Sequence, residues 1–324
     1  MAPTTWKQLK NKFDRLLIVD NEHFEIVPLE SNDQLSDSCM APLPMKIDSM
    51  GSSIVYTDRV LYVFGGTDTP TGVKVLYFDS EYHLFVREGV KCTLKHPRVN
   101  ATVSLSPDHR YAYLVGGDLS PQAVERVDLT TMDVTQCASM NTPRIKHAAT
   151  LLNDEGYNTI AVLGGIDPTT NTVLDTMELY DTLFDVWHIS DHHLAKPMHS
   201  MYVSFVRPEA PICLVIGGVG SNGRFIKEIQ KIHTEERPDE KATLPGPLVW
   251  YSSACHSENL FYLTGGRHMG ADQATTTMIK VNSRTNLCIP SPIKAAKGQD
   301  TEALQCSHEE EVSILKLITI MYIY

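Results

Sequence analysis

Long apolar stretches are missing from these 324 residues. The longest, residues 314–324, is interrupted by Lys316 and falls far short of the roughly 20 residues a membrane-spanning helix requires. No membrane partner is expected. The amino end, Met1-Ala2-Pro3-Thr4-Thr5-Trp6-Lys7, has no apolar core of the kind a secretory signal carries, and neither end shows a lipidation pattern. Paired cysteines are missing too. Cys39, Cys92, Cys137, Cys213, Cys255, Cys288 and Cys306 contain no C-x-x-C pair. An odd number at wide spacing fits reduced thiols in the cytoplasm rather than a disulfide framework or a zinc site. Excess positive charge is also absent. With 28 basic and 39 acidic residues the net charge is −11, so a surface that follows nucleic-acid phosphates is not expected. The remaining composition, 42% hydrophobic and 21% charged, is that of an ordinary globular chain of one large domain or two ordinary ones.

What the chain does have is a glycine rhythm. Of its 19 glycines, ten stand in five doublets, Gly65-Gly66, Gly116-Gly117, Gly164-Gly165, Gly217-Gly218 and Gly265-Gly266, at steps of 51, 48, 53 and 48 residues. An apolar run precedes each, as in Leu61-Tyr62-Val63-Phe64 and Ile160-Ala161-Val162-Leu163. Such short β-rich runs ending at glycine read as strands buried on both faces. The glycines permit a positive φ or a close backbone approach. In phase with the doublets come strands ending near aspartate, Val75 to Asp79, Val124 to Asp128 and Met177 to Asp181, then a turn and a further strand. A Leu/Met-x-x-Pro element follows, at Leu94, Met140, Leu194 and Leu244. Each period thus holds four short antiparallel strands. One such sheet cannot bury both its faces alone, so the units must stack.

These residues resemble the kelch repeat family, whose unit joins an apolar run and glycine doublet to Tyr-Asp, a later Trp, and Pro-Arg. Tyr180-Asp181 with Trp187 matches the first half, and Met140-Asn141-Thr142-Pro143-Arg144 the second. The departures are Phe85 and Val134 at the Trp position, His233 and Asn282 for aspartate, and Met198 and Leu248 for arginine. The resemblance covers nearly the whole chain. It implies an all-β kelch-type β-propeller with four antiparallel strands per blade, and the two chain ends, read as complementary halves of one further unit, make it six-bladed.

Five internal blades are expected near 45–90, 91–139, 140–192, 193–242 and 243–292. A closing blade would combine 305–324 with 14–30. In it, Arg15 to Asp20 and Phe24 to Val27 supply the second half of a repeat, and 311–315 with 318–324 supply the inner pair. Burying the uncharged, β-prone tail would remove an aggregation hazard. The alternative is an atypical tail on a shortened chain. Too few residues precede Arg15 for the dimerising, ligase-recruiting BTB domain that many relatives carry. Ligase adaptor work would then need another subunit, or the chain is a shortened form.

Catalytic patterns are weak. The doublets are followed by strands, whereas a phosphate cradle opens a helix. No Gly-x-Ser-x-Gly occurs, and no cysteine has a recognisable nucleophile signature. Histidines concentrate at His188, His192, His193 and His199 beside Asp191. Imidazole and carboxylate bind transition metals when three or more converge, but a strand would turn His192 and His193 to opposite faces, and a polar loop is the plainer reading. The expectation is therefore no enzyme, no metal and no cofactor. Metal-dependent or loop-assembled catalysis is the alternative.

By resemblance, the loops after the doublets (67–71, 118–121, 166–171, 219–224 and 267–271) gather at one end of the disc. They are joined there by His96, Arg98, Arg144, Lys146 and His147. Arginine grips carboxylates bidentately and anchors interfaces. The candidate partner-binding residues are Arg98, Arg144, Lys146, Arg224, Arg267 and His268. Arg98 and Arg144 carry a second reading, as braces between blades. The expected function is a protein-interaction scaffold or adaptor. Its partners would be a ubiquitin-ligase component, the substrate of one, or actin.

Overall fold

The computed structural model describes residues 15–19, 22–28, 39–47, 51–79, 82, 84–88, 92–154, 157–206, 212–233, 242–244, 248–257, 260–268, 277–282, 287–294 and 318–321. Among them there is no helix. The fold is all-β, with four-stranded antiparallel sheets in a propeller arrangement.

The chain enters through β1 (Arg15–Val19), β2 (His23–Pro28) and β3 (Cys39–Pro42). One full sheet follows in β4 (Ser52–Thr57), β5 (Val60–Gly65), β6 (Val73–Asp79) and β7 (Leu84–Glu88). The next runs through β8 (Thr102–Leu105), β9 (Tyr111–Val115), β10 (Val124–Asp128) and β11 (Val134–Cys137). A third comprises β12 (Ala148–Asp154), β13 (Tyr157–Leu163), β16 (Thr176–Asp181) and β17 (Val186–His193), with a ribbon of β14 (Ile166–Asp167) and β15 (Thr172–Val173) carried between its middle strands. A second ribbon pairs β18 (Met198–His199) with β21 (Val219–Gly220). They flank a fourth sheet of β19 (Tyr202–Val206), β20 (Ile212–Ile216), β22 (Glu228–His233) and β23 (Ala242–Thr243). The fifth holds β24 (Leu248–Ser257), β25 (Leu260–His268), β26 (Thr277–Asn282) and β27 (Leu287–Lys294). Last, β28 (Ile318–Met321) pairs with β1, Leu16 opposite Met321 and Val19 opposite Ile318, giving the order β28-β1-β2-β3.

Two sequence expectations need correction here. β1 pairs β28 directly and stands second in its sheet, where a doublet strand stands in the others. It does not begin the second half of a repeat. The amino end supplies three strands rather than two, the third being Cys39–Pro42. Residues 311–315 lie outside those described.

Packing runs from sheet to sheet. Leu17, Val19, Phe24 and Ile26 share a core with Ile54, Leu61, Val63 and Phe85. Val55, Tyr62, Phe64 and Val75 pack against Ala112, Leu114 and Val127. Tyr113 and Val115 meet Ile160, Val162 and Tyr180, and Leu163 and Met177 meet Val203, Val215 and Ile232. Each large apolar side chain so buried contributes roughly 1.5–3 kcal/mol. The inner strands neighbour one another in the sequence β4, β8, β12, β19, β24, β28, and β28 touches β4.

The repeat residues serve these joints. Trp187 stacks against Tyr180 with ring centroids 4.9 Å apart, and its indole N–H donates to the Ala138 carbonyl of the preceding sheet at 2.8 Å. Asp185 accepts from the Tyr180 hydroxyl at 2.6 Å and from the Ala138 amide at 2.7 Å. Gly65, at φ +67°, shows why the doublets are glycine. A Cβ there would collide with the Arg98 carbonyl, the same carbonyl that accepts the Gly66 amide at 2.9 Å.

Candidate binding face and the arginines beneath it

The loops after the doublets and the segments leading into the inner strands meet at one end of the sheets, tied by backbone hydrogen bonds. The amides of Leu94 and Arg98 donate to Thr71 and Pro70, and those of Met140 and Arg144 donate to Gln122 and Pro121. Leu194 and Met198 donate to Asp175 and Leu174 in the same way. At these three joints the structure shows the expected grouping.

Sequence and structure disagree on the arginines. Arg98 and Arg144 are 0% exposed, so neither can grip a partner, and the bracing reading replaces them as binding residues. The Arg98 guanidinium donates to the Gly116 and Ala123 carbonyls, both at 2.8 Å, and to Glu125 Oε2 at 3.1 and 3.0 Å. Arg144 repeats the pattern one sheet later. It donates to the carbonyls of Gly164 and Thr176 at 2.9 and 3.0 Å, to Thr176 Oγ1 at 2.8 Å, and to Glu178 Oε1 at 3.3 and 3.0 Å. The glutamates also accept backbone amides from the joint: His96 on Glu125, Asn141 and Thr142 on Glu178. Burial pulls both guanidinium groups below their ordinary pKa, and the facing glutamate opposes that pull. Each arginine thus has its backbone held by one sheet and its side chain by the next.

The third joint has lost the charge on both sides. Met198 takes the arginine position, with its carbonyl accepting the Gly165 amide at 2.9 Å as the Arg98 carbonyl accepts that of Gly66. Opposite Val215, where register places Glu125 opposite Leu114 and Glu178 opposite Val162, stands Gln230. It still accepts a joint amide, that of Ala195 at 3.1 Å. In the fifth sheet the corresponding positions are Leu248 and, opposite Leu263, Ile279. The pairs therefore run Arg/Glu, Arg/Glu, Met/Gln, Leu/Ile. Sequence reading found the arginines and their replacements but missed the glutamates, which look like solvent-facing residues of an alternating strand. The parallel loss of both charges was the available signal.

Above the braces lie the exposed groups. Asn100, Lys146 and Ser200 each stand two residues ahead of an inner strand, and each is held in the left-handed region, at φ 55°, 53° and 54°. The Lys146 carbonyl accepts the Ser200 amide at 2.8 Å, and Asn100 Nδ2 donates to Asp118 at 2.7 Å. Lys146 is exposed. Its charge adds to partial burial in lowering the pKa of His199. Arg224 is exposed on the Gly220 to Arg224 turn, whose Asn222 side chain accepts its amide at 3.0 Å. Arg267 and His268 do not lie in a loop. They continue β25, opposite Val249 and Leu248.

Val186–His193 is a strand throughout, not a polar loop, and His188, His192 and His193 are exposed on it. Among the described residues no group of three or more His, Cys, Asp or Glu side chains is placed to hold a metal ion. Burial raises the Cys213 thiol to about 12, as suits a small core residue.

No family model matches the chain. It is 28% identical over 187 residues to a RING finger domain and kelch repeat-containing protein of Dictyostelium discoideum. That match covers 56% of this chain but only 17% of the relative. The solved structure of YjhT superposes with a TM-score of 0.64 over 87% of this chain and 98% of its own, at 13% identity, a likeness of fold alone. Repeat residues, sheet architecture and the partial relative together support a relationship to the kelch-type β-propellers.

Proposed function

We propose that this chain is a non-enzymatic protein-interaction module of the cytoplasm, a kelch-type propeller of six blades closed by the pairing of β1 with β28. The six four-stranded sheets and the succession of inner strands back to β4 support the closed ring. Sheets stacked without closure would leave two apolar faces open.

The binding face is the end where the doublet loops and joint segments converge. One observation carries it: Lys146 is an exposed cation at a backbone position that costs most residues strain, beside the loops of its own and the preceding sheet. With Arg98 and Arg144 committed to the joints, Lys146 and Arg224 are the candidate cations described as exposed, and they would meet an acidic segment of a partner protein. The kelch relative is named for a RING finger, which favours a ubiquitin-ligase component or its substrate over actin. Capture from lysate should compare the wild type with a Lys146→Asn/Arg224→Ser variant, circular dichroism confirming that both fold. Partners retained only by the wild type are expected. Identical captures would overturn this face as the site.

A further inference from the structure

The joint between the β8–β11 and β12–β17 sheets contains a group that its neighbours lack. His147 immediately precedes β12, at the position held by Ala101 ahead of β8 and Met201 ahead of β19. Its side chain is 6% exposed and wedged against both doublets. A Cβ on Gly116 would strike His147 Cε1, and one on Gly165 would strike His147 Cβ. Nε2 lies 3.1 Å from Thr102 Oγ1, while Nδ1 is buried and makes no well-formed hydrogen bond. The charged groups acting on it are Arg144 and Arg98, both cations, and the Val115 and Arg144 carbonyls only partly offset them. Glu125 and Glu178 are engaged by the arginines, and Lys146, next in the chain, is exposed.

We infer that His147 makes this one joint an acid-triggered release point. Uptake of a proton would place a third cation in a buried seam already holding two guanidinium groups, and among the described residues the carboxylates there, Glu125 and Glu178, are engaged by those groups. The preceding joint has Ala101 at this position; the following one has Met201, and its His199 is only partly buried. Burial first, then Arg144, holds the imidazole pKa down to about 4 from its usual 6.5. A base depressed on folding contributes its full stability above the unfolded pKa and loses it as pH falls toward the folded one. The window is therefore between 6.5 and about 4.

The test is chemical denaturation of the wild type and His147→Met, which borrows the residue of the Met201 joint, at intervals from pH 7 to 4.5. His147→Ala, after Ala101, is the second variant. The unfolding constant of the wild type should rise relative to the variants by close to tenfold per pH unit across the window. In the wild type, hydrogen exchange of the paired Ile145 and Ile166 amides should accelerate on acidification before that of Gly66 at the preceding joint. Parallel pH profiles for wild type and variant would overturn the proposal. So would exchange that accelerates equally at both joints, a readout that needs no variant to fold.

Discussion

The joints at Arg98 and Arg144 and the joint at Met198 solve one geometric problem with opposite chemistry. In all three, the residue after proline gives its carbonyl or amide to the preceding sheet, and the side chain opposite accepts amides from the joint segment. In two of them a guanidinium and a carboxylate fill the space, and in the third a thioether and an amide. A buried ion pair contributes little more than an apolar pair of like volume, yet either ion alone is strongly unfavourable. The two residues must therefore change together, and across this chain they have. What the sheets require is a filled joint with satisfied amides. Charge is one way to supply it.

The largest effect should come from breaking one pair. Arg144→Met alone leaves Glu178 buried without its cation and should cost about 3–5 kcal/mol in denaturant unfolding. Arg144→Met with Glu178→Gln transplants the Met198/Gln230 solution, and most of that loss should return, to within about 1–2 kcal/mol of wild type. If the double variant is no better than the single, the two kinds of joint are not equivalent. In the other direction, Gln230→Glu should destabilise the neutral joint by about 1–3 kcal/mol at pH 7, and the deficit should shrink as the pH falls toward the ordinary carboxyl range, because the buried acid takes up its proton first. Smallest is Lys146→Asn. Asparagine tolerates the left-handed backbone better than lysine, so a gain of about 0.5–1 kcal/mol is expected even as the proposed binding face loses a charge.

The doublet strands could be read from sequence because two signals coincide in them, an apolar run and glycine at a fixed spacing. The strands so signalled belong to the sheets that run from Ser52–Thr57 through Leu287–Lys294. β3 escaped because Cys39-Met40-Ala41-Pro42 has neither β-branched residues nor alternation. β1 was placed one strand too late because its trailing aspartate imitates the third strand of a repeat, and only the pairing with β28 assigns it. At the candidate face, Lys146 was legible as a cation ahead of an inner strand and Arg224 as one at a glycine-rich turn. For Arg98 and Arg144 the sequence offered bracing beside binding, and what decides for bracing is the carbonyls of Gly116 and Gly164, which the chain brings to them from a strand end 18 and 20 residues away. The end of β25 beyond Gly266 was hidden for the reverse reason, because a doublet there does not stop the strand.

The partnership of β1 with β28 also fixes an order in time. Leu16 and Met321 are separated by about 300 residues, so during synthesis every other sheet can find all its strands before the first one does. Until the last strand emerges, β1 presents an unpaired edge of the apolar sequence Arg15-Leu16-Leu17-Ile18-Val19, the kind of edge that recruits foreign strands. Such a distant pairing is also slow to form, because the chain between must be ordered before the contact is rewarded. The most vulnerable period is therefore the interval between making β1 and making β28.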